Sequence, residues 1–236
     1  LVRHSVGKAL DRHGIDRSIL LAVARKLLDG VDVPPIVSFE DGLGVLPEAI
    51  ADRYADSIRF ETPVEAVEPT DEGYDIVTPE GTRAVSDVVV TTAAPTAGDV
   101  LEPVDASLAE TLSGMTYNPL AVVHLESNYG REGHGCQVLD GEGYETLGMT
   151  WNASMLDRED VFTAYLGGSR SPEILDRSDD DIAALAAREF ESITGFSARS
   201  LSVRRWDPGM PAYDEGWNAY EGIDLPDGIH VCATFA

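Results

Sequence analysis

Five histidines, at positions 4, 13, 124, 134 and 230, and two cysteines, Cys136 and Cys232, are the side chains with the widest choice of chemistry. A zinc site needs at least three well-placed ligands, and only His134 and Cys136 stand near enough in sequence to share one. That pair reads as a loop histidine beside a packed cysteine, and no metal is expected. Hydrolytic chemistry has no foothold either: the sequence holds neither a G-x-S-x-G nucleophile elbow nor an HExxH pair. Asp179-Asp180-Asp181 could attract a cation, yet acids at the start of a helix complement its dipole and need no ion. Asn152-Ala-Ser154 is a formal glycosylation sequon, which matters only in a secreted protein.

Loops that cradle phosphate are also missing. Gly42-Leu-Gly44 runs into Leu46-Pro47, while Gly133-His-Gly135 and Gly141-Glu-Gly143 lack a third glycine and a following helix. No segment can hold a pyrophosphate in the dinucleotide-binding manner. From these residues alone the catalytic groups are unknown.

The 236 residues are 43% hydrophobic, enough for a sizeable core. Residues 2–30 repeat apolar side chains at helical spacing and stop at Asp29-Gly30. After Pro34-Pro35, the segment 39–47 opens a second helix with Leu43, Leu46, Ile50 and Tyr54 on its apolar face. Strands are expected at 58–61, 64–68, 74–78, 82–85 and 88–92, the last ended by Ala93-Ala94-Pro95. A short helix near 107–112 precedes strands at 120–125, 135–139, 146–151 and 161–166. Ser178 to Asp181 matches a capping box ahead of a helix with Ile182, Leu185, Phe190 and Ile193 on one face. Strands at 200–206 and from Ile229 complete the chain. Strands and helices mix without regular alternation, so the expected class is α+β with largely antiparallel sheet.

The net charge is −25, from 42 acidic and 17 basic residues, and the lysines are Lys8 and Lys26 alone. Such a surface repels polyanions, so nucleic acid and anionic membrane are not expected as partners. The acids are spread along the chain, which reads as adaptation to a salt-rich cytoplasm. The cysteines sit in no redox or disulfide spacing, and no run of about 18 apolar residues suggests a membrane span. The sequence opens at Leu1 and closes in the apolar run 229–236, which suggests a fragment cut at both ends.

Three segments, in order, resemble the protoporphyrinogen oxidase and FAD-dependent amine oxidase family in its C-terminal half. The first is Ser38-Phe-Glu-Asp-Gly-Leu-Gly-Val-Leu-Pro-Glu-Ala-Ile50, with Asp41-Gly42 where the family has a double glycine. The second runs from Ile58 through Thr62-Pro63-Val64 to Ser86-Asp-Val-Val-Val-Thr-Thr-Ala-Ala-Pro95. The third is Arg204-Arg-Trp-Asp-Pro-Gly-Met-Pro-Ala-Tyr213, with Ala212 in place of a commoner glutamine. The likeness covers about 37–236.

The resemblance implies bound FAD, and hydride transfer to it from a porphyrinogen or an amine-like small molecule, with dioxygen or another acceptor reoxidising the flavin. It implies that Val64 contacts adenine through its backbone, that Thr92, Ala93, Ala94 and Pro95 run close to the cofactor, that Trp206 lies near the isoalloxazine, and that Tyr213 faces substrate. It also implies a division into a helical part of a substrate domain (1–36), a returning part of the FAD-binding domain (37–105), the substrate-domain sheet and helix (106–205), and a truncated return to the FAD-binding domain (206–236). The family's dinucleotide glycines lie upstream of Leu1, so the chain by itself is expected to bind FAD weakly and to be inactive. A non-catalytic binding domain of the same fold is the alternative, and a chance likeness would leave Val64 and Trp206 in different cores, far from any common cleft.

Overall fold

The computed structural model describes residues 38–158, 160–212, 214, 220 and 223–235. The helix expected at 2–30, the division 1–36 and Tyr213 lie outside the described residues.

The described chain begins with α1 (Val45–Arg53) and a 3₁₀ turn (Ala55–Ser57). An antiparallel meander follows, of β1 (Ala66–Thr70), β2 (Gly73–Thr78) and β3 (Gly81–Val85). Then come β4 (Val88–Val90), α2 (Ala94–Leu101) and α3 (Ala106–Ser113). β5 (Tyr117–Glu126), β6 (Gly135–Gln137), β7 (Thr146–Thr150), the single turn α4 (Asn152–Met155) and β8 (Val161–Gly167) form the middle. A 3₁₀ turn (Pro172–Asp176), α5 (Asp179–Thr194), β9 (Arg199–Pro211) and β10 (Ile229–Val231) complete it.

The fold is α+β. A five-stranded antiparallel sheet has the order β6-β7-β8-β5-β9, the meander stands apart as a second sheet, and β10 pairs with β4 in parallel. Strict alternation along β5 explains how the large sheet is covered. Ala121, Val123 and Leu125 are fully buried and pack with Phe162, Ala164 and Leu166 of β8 against Ile182, Leu185, Ala186 and Phe190 of α5, so α5 lies over one face. A second core joins Val67 and Tyr74 of the meander, Val90, Leu101 of α2, Leu108 and Leu112 of α3, Ile229 and Phe235.

α5 is bounded as the capping box predicts: the Ser178 hydroxyl accepts the Asp181 amide at 3.2 Å, and Gly195 closes the helix at φ +80°. Three expectations need correction. Residues 58–61 form no strand, because Glu61 takes φ +55° and breaks the extended run. The Ala93-Ala94-Pro95 stop is instead the start of α2, since proline in the first helical turn has no amide to lose. The apolar face of α1 is not buried: Leu43, Leu46, Ile50 and Tyr54 are all exposed.

Candidate functional site

The β-branched run Val88-Val-Val90 makes a short parallel strand, from which the chain turns directly into α2. Thr92, Ala93, Ala94 and Pro95 are that turn. Thr92 is exposed, Ala93 and Pro95 are half-buried, and Ala94 is fully buried with its amide donated to the Tyr117 hydroxyl at 3.0 Å. The Cys232 amide donates to the Val90 carbonyl at 2.9 Å, so the residue after β10 lies beside the same turn. Parallel strands of this kind bind ligands beyond their carboxyl ends, beside a helix N-terminus. Gly98 lets α3 come close behind the turn, since a Cβ there would stand 2.4 Å from the Ser113 hydroxyl and 2.8 Å from the Ala109 carbonyl.

Val64 occupies a different setting. It belongs to no strand and lines a pocket of about 440 Å³ with Ser57, Arg59, Thr62, Ile76, Thr78 and Arg83 among its neighbours. Arg59 makes only a long, exposed pair with Glu80 at 3.9 Å, which contributes little in water. Glu80 lines the pocket too, so the pocket presents guanidinium, hydroxyl and carboxylate groups around an apolar patch.

Trp206 stands 57% exposed on the face of the large sheet opposite α5. Strand register orders that face in rows. Trp206 lies across from Leu120, Arg204 across from Val122 and then Tyr165, and Ser202 across from His124, Thr163 and Thr150. The middle of this face carries a polar network. The Asn152 side chain donates to the Thr163 hydroxyl at 3.0 Å, the Thr150 hydroxyl donates to Asn152 Oδ1 at 3.0 Å and lies 3.3 Å from the Tyr165 hydroxyl, and His124 Nδ1 lies 3.0 Å from the Ser202 hydroxyl. One end of the face is therefore aromatic and apolar, the other hydroxyl-rich.

The structure thus brings Thr92 to Pro95 together in one turn, while Val64 lines a separate pocket that Trp206 does not share. Neither Val64 nor Trp206 is a core residue. Tyr165, Thr150 and Thr163 went unread in the sequence, while His124 was read only as an isolated histidine and Asn152 only as part of a sequon, although the even positions of β5 gave the signal, being the ones α5 leaves open. Among the described residues no group of three or more histidine, cysteine or acidic side chains could hold a metal, and no helix is long and apolar enough to cross a membrane. Away from these places, the Ser86 hydroxyl and then His230 hold the Asp87 carboxyl below the usual carboxylate range, and burial pushes the Cys136 thiol up.

Residues 4–234 match the family described as flavin containing amine oxidoreductase. Chloroplastic protoporphyrinogen oxidase 1 of Spinacia oleracea is 29% identical over 224 residues, spanning 84% of this chain and 39% of that protein. The chain thus spans about two-fifths of the length of the curated relatives it matches. Among solved structures, the Exiguobacterium sp. 255-15 chain assigned as a protoporphyrinogen oxidase superposes with TM-score 0.65 at 24% identity, over 84% of this chain and 47% of its own. Cyclohexylamine oxidase of Brevibacterium oxydans IH-35A gives 0.61 at 14% identity, over 83% and 47%. These superpositions speak to fold; the match along nearly the whole sequence decides the family. This chain belongs to the flavin containing amine oxidoreductase family.

Proposed function

We propose that the chain contributes the substrate wall and part of the FAD cradle of an oxidoreductase that takes a hydride from a porphyrinogen or amine-like small molecule, with dioxygen or another acceptor as final oxidant. The observation that carries this reading is the turn Thr92 to Pro95, which leaves the carboxyl end of the parallel strand β4 and opens α2, a place where parallel strands seat ligands.

The residues present fit part of FAD, since they include no pyrophosphate-cradling glycine loop. Main chain at Thr92 to Pro95 would hold it beside the α2 N-terminus, and the Val64 pocket supplies donors and an apolar patch for its polar and adenine portions. When bound, the flavin supplies the electron sink. The chain's own work is then to position and shield. Trp206, Leu120 and Val122 give a flat apolar support for a ring-shaped substrate, and the Thr150, Asn152, Thr163 and Tyr165 network holds the middle of that wall rigid. The cofactor carries the chemistry that would otherwise call for an acid–base pair on this wall. An acidic surface with few lysines supports a salt-rich cytoplasm as the setting.

The test is an absorption spectrum, during titration with FAD, of a polypeptide of the relatives' full length that contains this chain. Bands near about 375 and about 450 nm that shift on binding and bleach with a porphyrinogen or an amine are the expected result. A colourless chain that ignores FAD would leave the alternative, a non-catalytic small-molecule binding domain of the same fold.

A further inference from the structure

α1 is held by its ends. It buries none of its residues, so among the described residues no core packing fixes where it lies. Its carboxyl end runs directly into the surface around Val64: the Ser57 and Ile58 amides donate to the Tyr54 carbonyl at 2.8 and 3.1 Å, and Ser57, Arg59, Thr62 and Val64 then line the pocket of about 440 Å³. The amino end is reached from the large sheet. Arg158, on the loop between α4 and β8, donates Nη1 to the Glu40 carbonyl at 2.7 Å and Nη2 to the Phe39 carbonyl, across 118 and 119 residues of sequence. The same Phe39 carbonyl accepts the Gly42 amide at 3.0 Å, which closes the turn, with Gly42 at φ +96°, that leads into α1.

Arg158 is itself placed by the open face of the sheet. Its amide donates to the Asn152 carbonyl at 3.2 Å, and the Asn152 side chain joins the Thr150 and Thr163 hydroxyls in the middle of that face. On the other side the Asp160 carbonyl accepts the Ser127 amide at 3.0 Å. Asp157 and Asp160 take φ +52° and +58°, two of the three left-handed non-glycine residues among the described ones, and both lie within two positions of Arg158. Left-handed backbone is unfavourable for a residue with a Cβ and persists where its surroundings over-determine it. The backbone that aims the guanidinium is fixed in this way.

We infer that Arg158 is a positioning residue: through α1 it holds the Val64 pocket in place relative to the open face of the large sheet, so that the cofactor surface and the substrate wall keep one spacing. A planar guanidinium suits this task because its rigid fork of donors meets two carbonyls at once. The path is continuous in named contacts, from Thr150 and Thr163 through Asn152 to Arg158, from there to Phe39 and Glu40, and along α1 to Ser57. A site stays productive only when a supporting shell of this kind fixes the groups that touch the ligand. The inference rests on the reading of the Val64 pocket as part of the FAD cradle and of the open face as the substrate wall.

The test uses a polypeptide of the relatives' full length that contains this chain, with amide hydrogen exchange and calorimetric FAD affinity as separate readouts. Arg158→Gln should speed exchange of the Gly42 and Val45 amides and weaken FAD binding about fivefold. The urea midpoint should move little, because Arg158 belongs to neither core. Arg158→Lys keeps the charge and can still reach one carbonyl, so it should recover part of both effects. Arg199→Gln removes an arginine that pairs with Glu126 elsewhere on the sheet and should change neither. Unchanged exchange in Arg158→Gln overturns the inference, as does faster exchange with FAD affinity unaltered or an equal response to Arg199→Gln. A urea midpoint that falls in step with affinity marks a general structural role and overturns it too. In each of these cases the parent still binds FAD and the reading of the pocket stands; a parent that binds no FAD overturns both.

Discussion

Glu189 is 9% exposed, and both its carboxylate oxygens are used: Oε1 accepts the Glu145 amide at 2.9 Å and Oε2 the Thr146 amide at 2.8 Å. Glu189→Ala leaves two inward amides without acceptors, and a loss of about 3 kcal/mol in urea unfolding is expected. Cys136 and Cys232 should separate in alkylation kinetics. Burial raises the Cys136 thiol and keeps it protonated, so iodoacetamide should label the exposed Cys232 first; simultaneous labelling would contradict the packing around Cys136. Asp87 titrates lower in the folded chain than in the unfolded one because Ser86 and His230 bond its carboxylate. Its contribution is therefore full above the ordinary carboxylate range and disappears as pH falls through the depressed value. Asp87→Asn should be less stable than the parent at neutral pH, and the two denaturation midpoints should converge in acid. At this scale the sequence was half legible. Val64 and Trp206 could be singled out only through their neighbours in a motif, since their types alone point to a core. Arg204 could not be told from Arg205 until strand register placed them on opposite faces.

Among the elements, α5 was readable because its signals are local: Ser178 caps one end, Gly195 the other, and the apolar residues recur between them. Ser178→Ala is expected to cost about 1 kcal/mol, measured by urea midpoint. Gly195→Ala should cost a similar amount from backbone conformation alone, since φ is +80° and a Cβ there would meet nothing within 4 Å. α2 was unreadable for the converse reason. Its inward positions are Ala94, Ala97, Gly98 and Leu101, with only the last large enough to mark a helical stripe, and its pairing with α3 depends on closeness at Gly98. β9 runs from Arg199 to Pro211, beyond the expected stop at 206, because pairing with Tyr117 and Asn118 continues past a register shift that no local pattern announces. The exposed stripe of α1 is the reverse case, a clear helical pattern for which the described residues supply no packing partner.

For the molecule as a whole, the excess of acids gives a prediction of its own. If the surface is adapted to salt, the melting temperature should climb steadily as potassium chloride is raised from low to molar concentration, because screening relieves repulsion within a chain of net charge −25. A flat response would remove the halophilic reading and leave the rest intact. The mixed α+β class could be read from the succession of patterns, but the partner of the final strand could not, since β10 pairs with β4 across roughly 140 residues. That pairing also sets a timetable for the growing polypeptide. The large sheet and α5 are built entirely from residues 117–211 and can assemble as soon as that stretch has emerged from the ribosome. The meander, α2 and α3 are made earlier, yet their shared core lacks Ile229 and Phe235 until the later residues are translated. The earlier-made portion is therefore the later to mature, and during that interval its apolar surface is the part of the nascent chain that a chaperone would have to shelter.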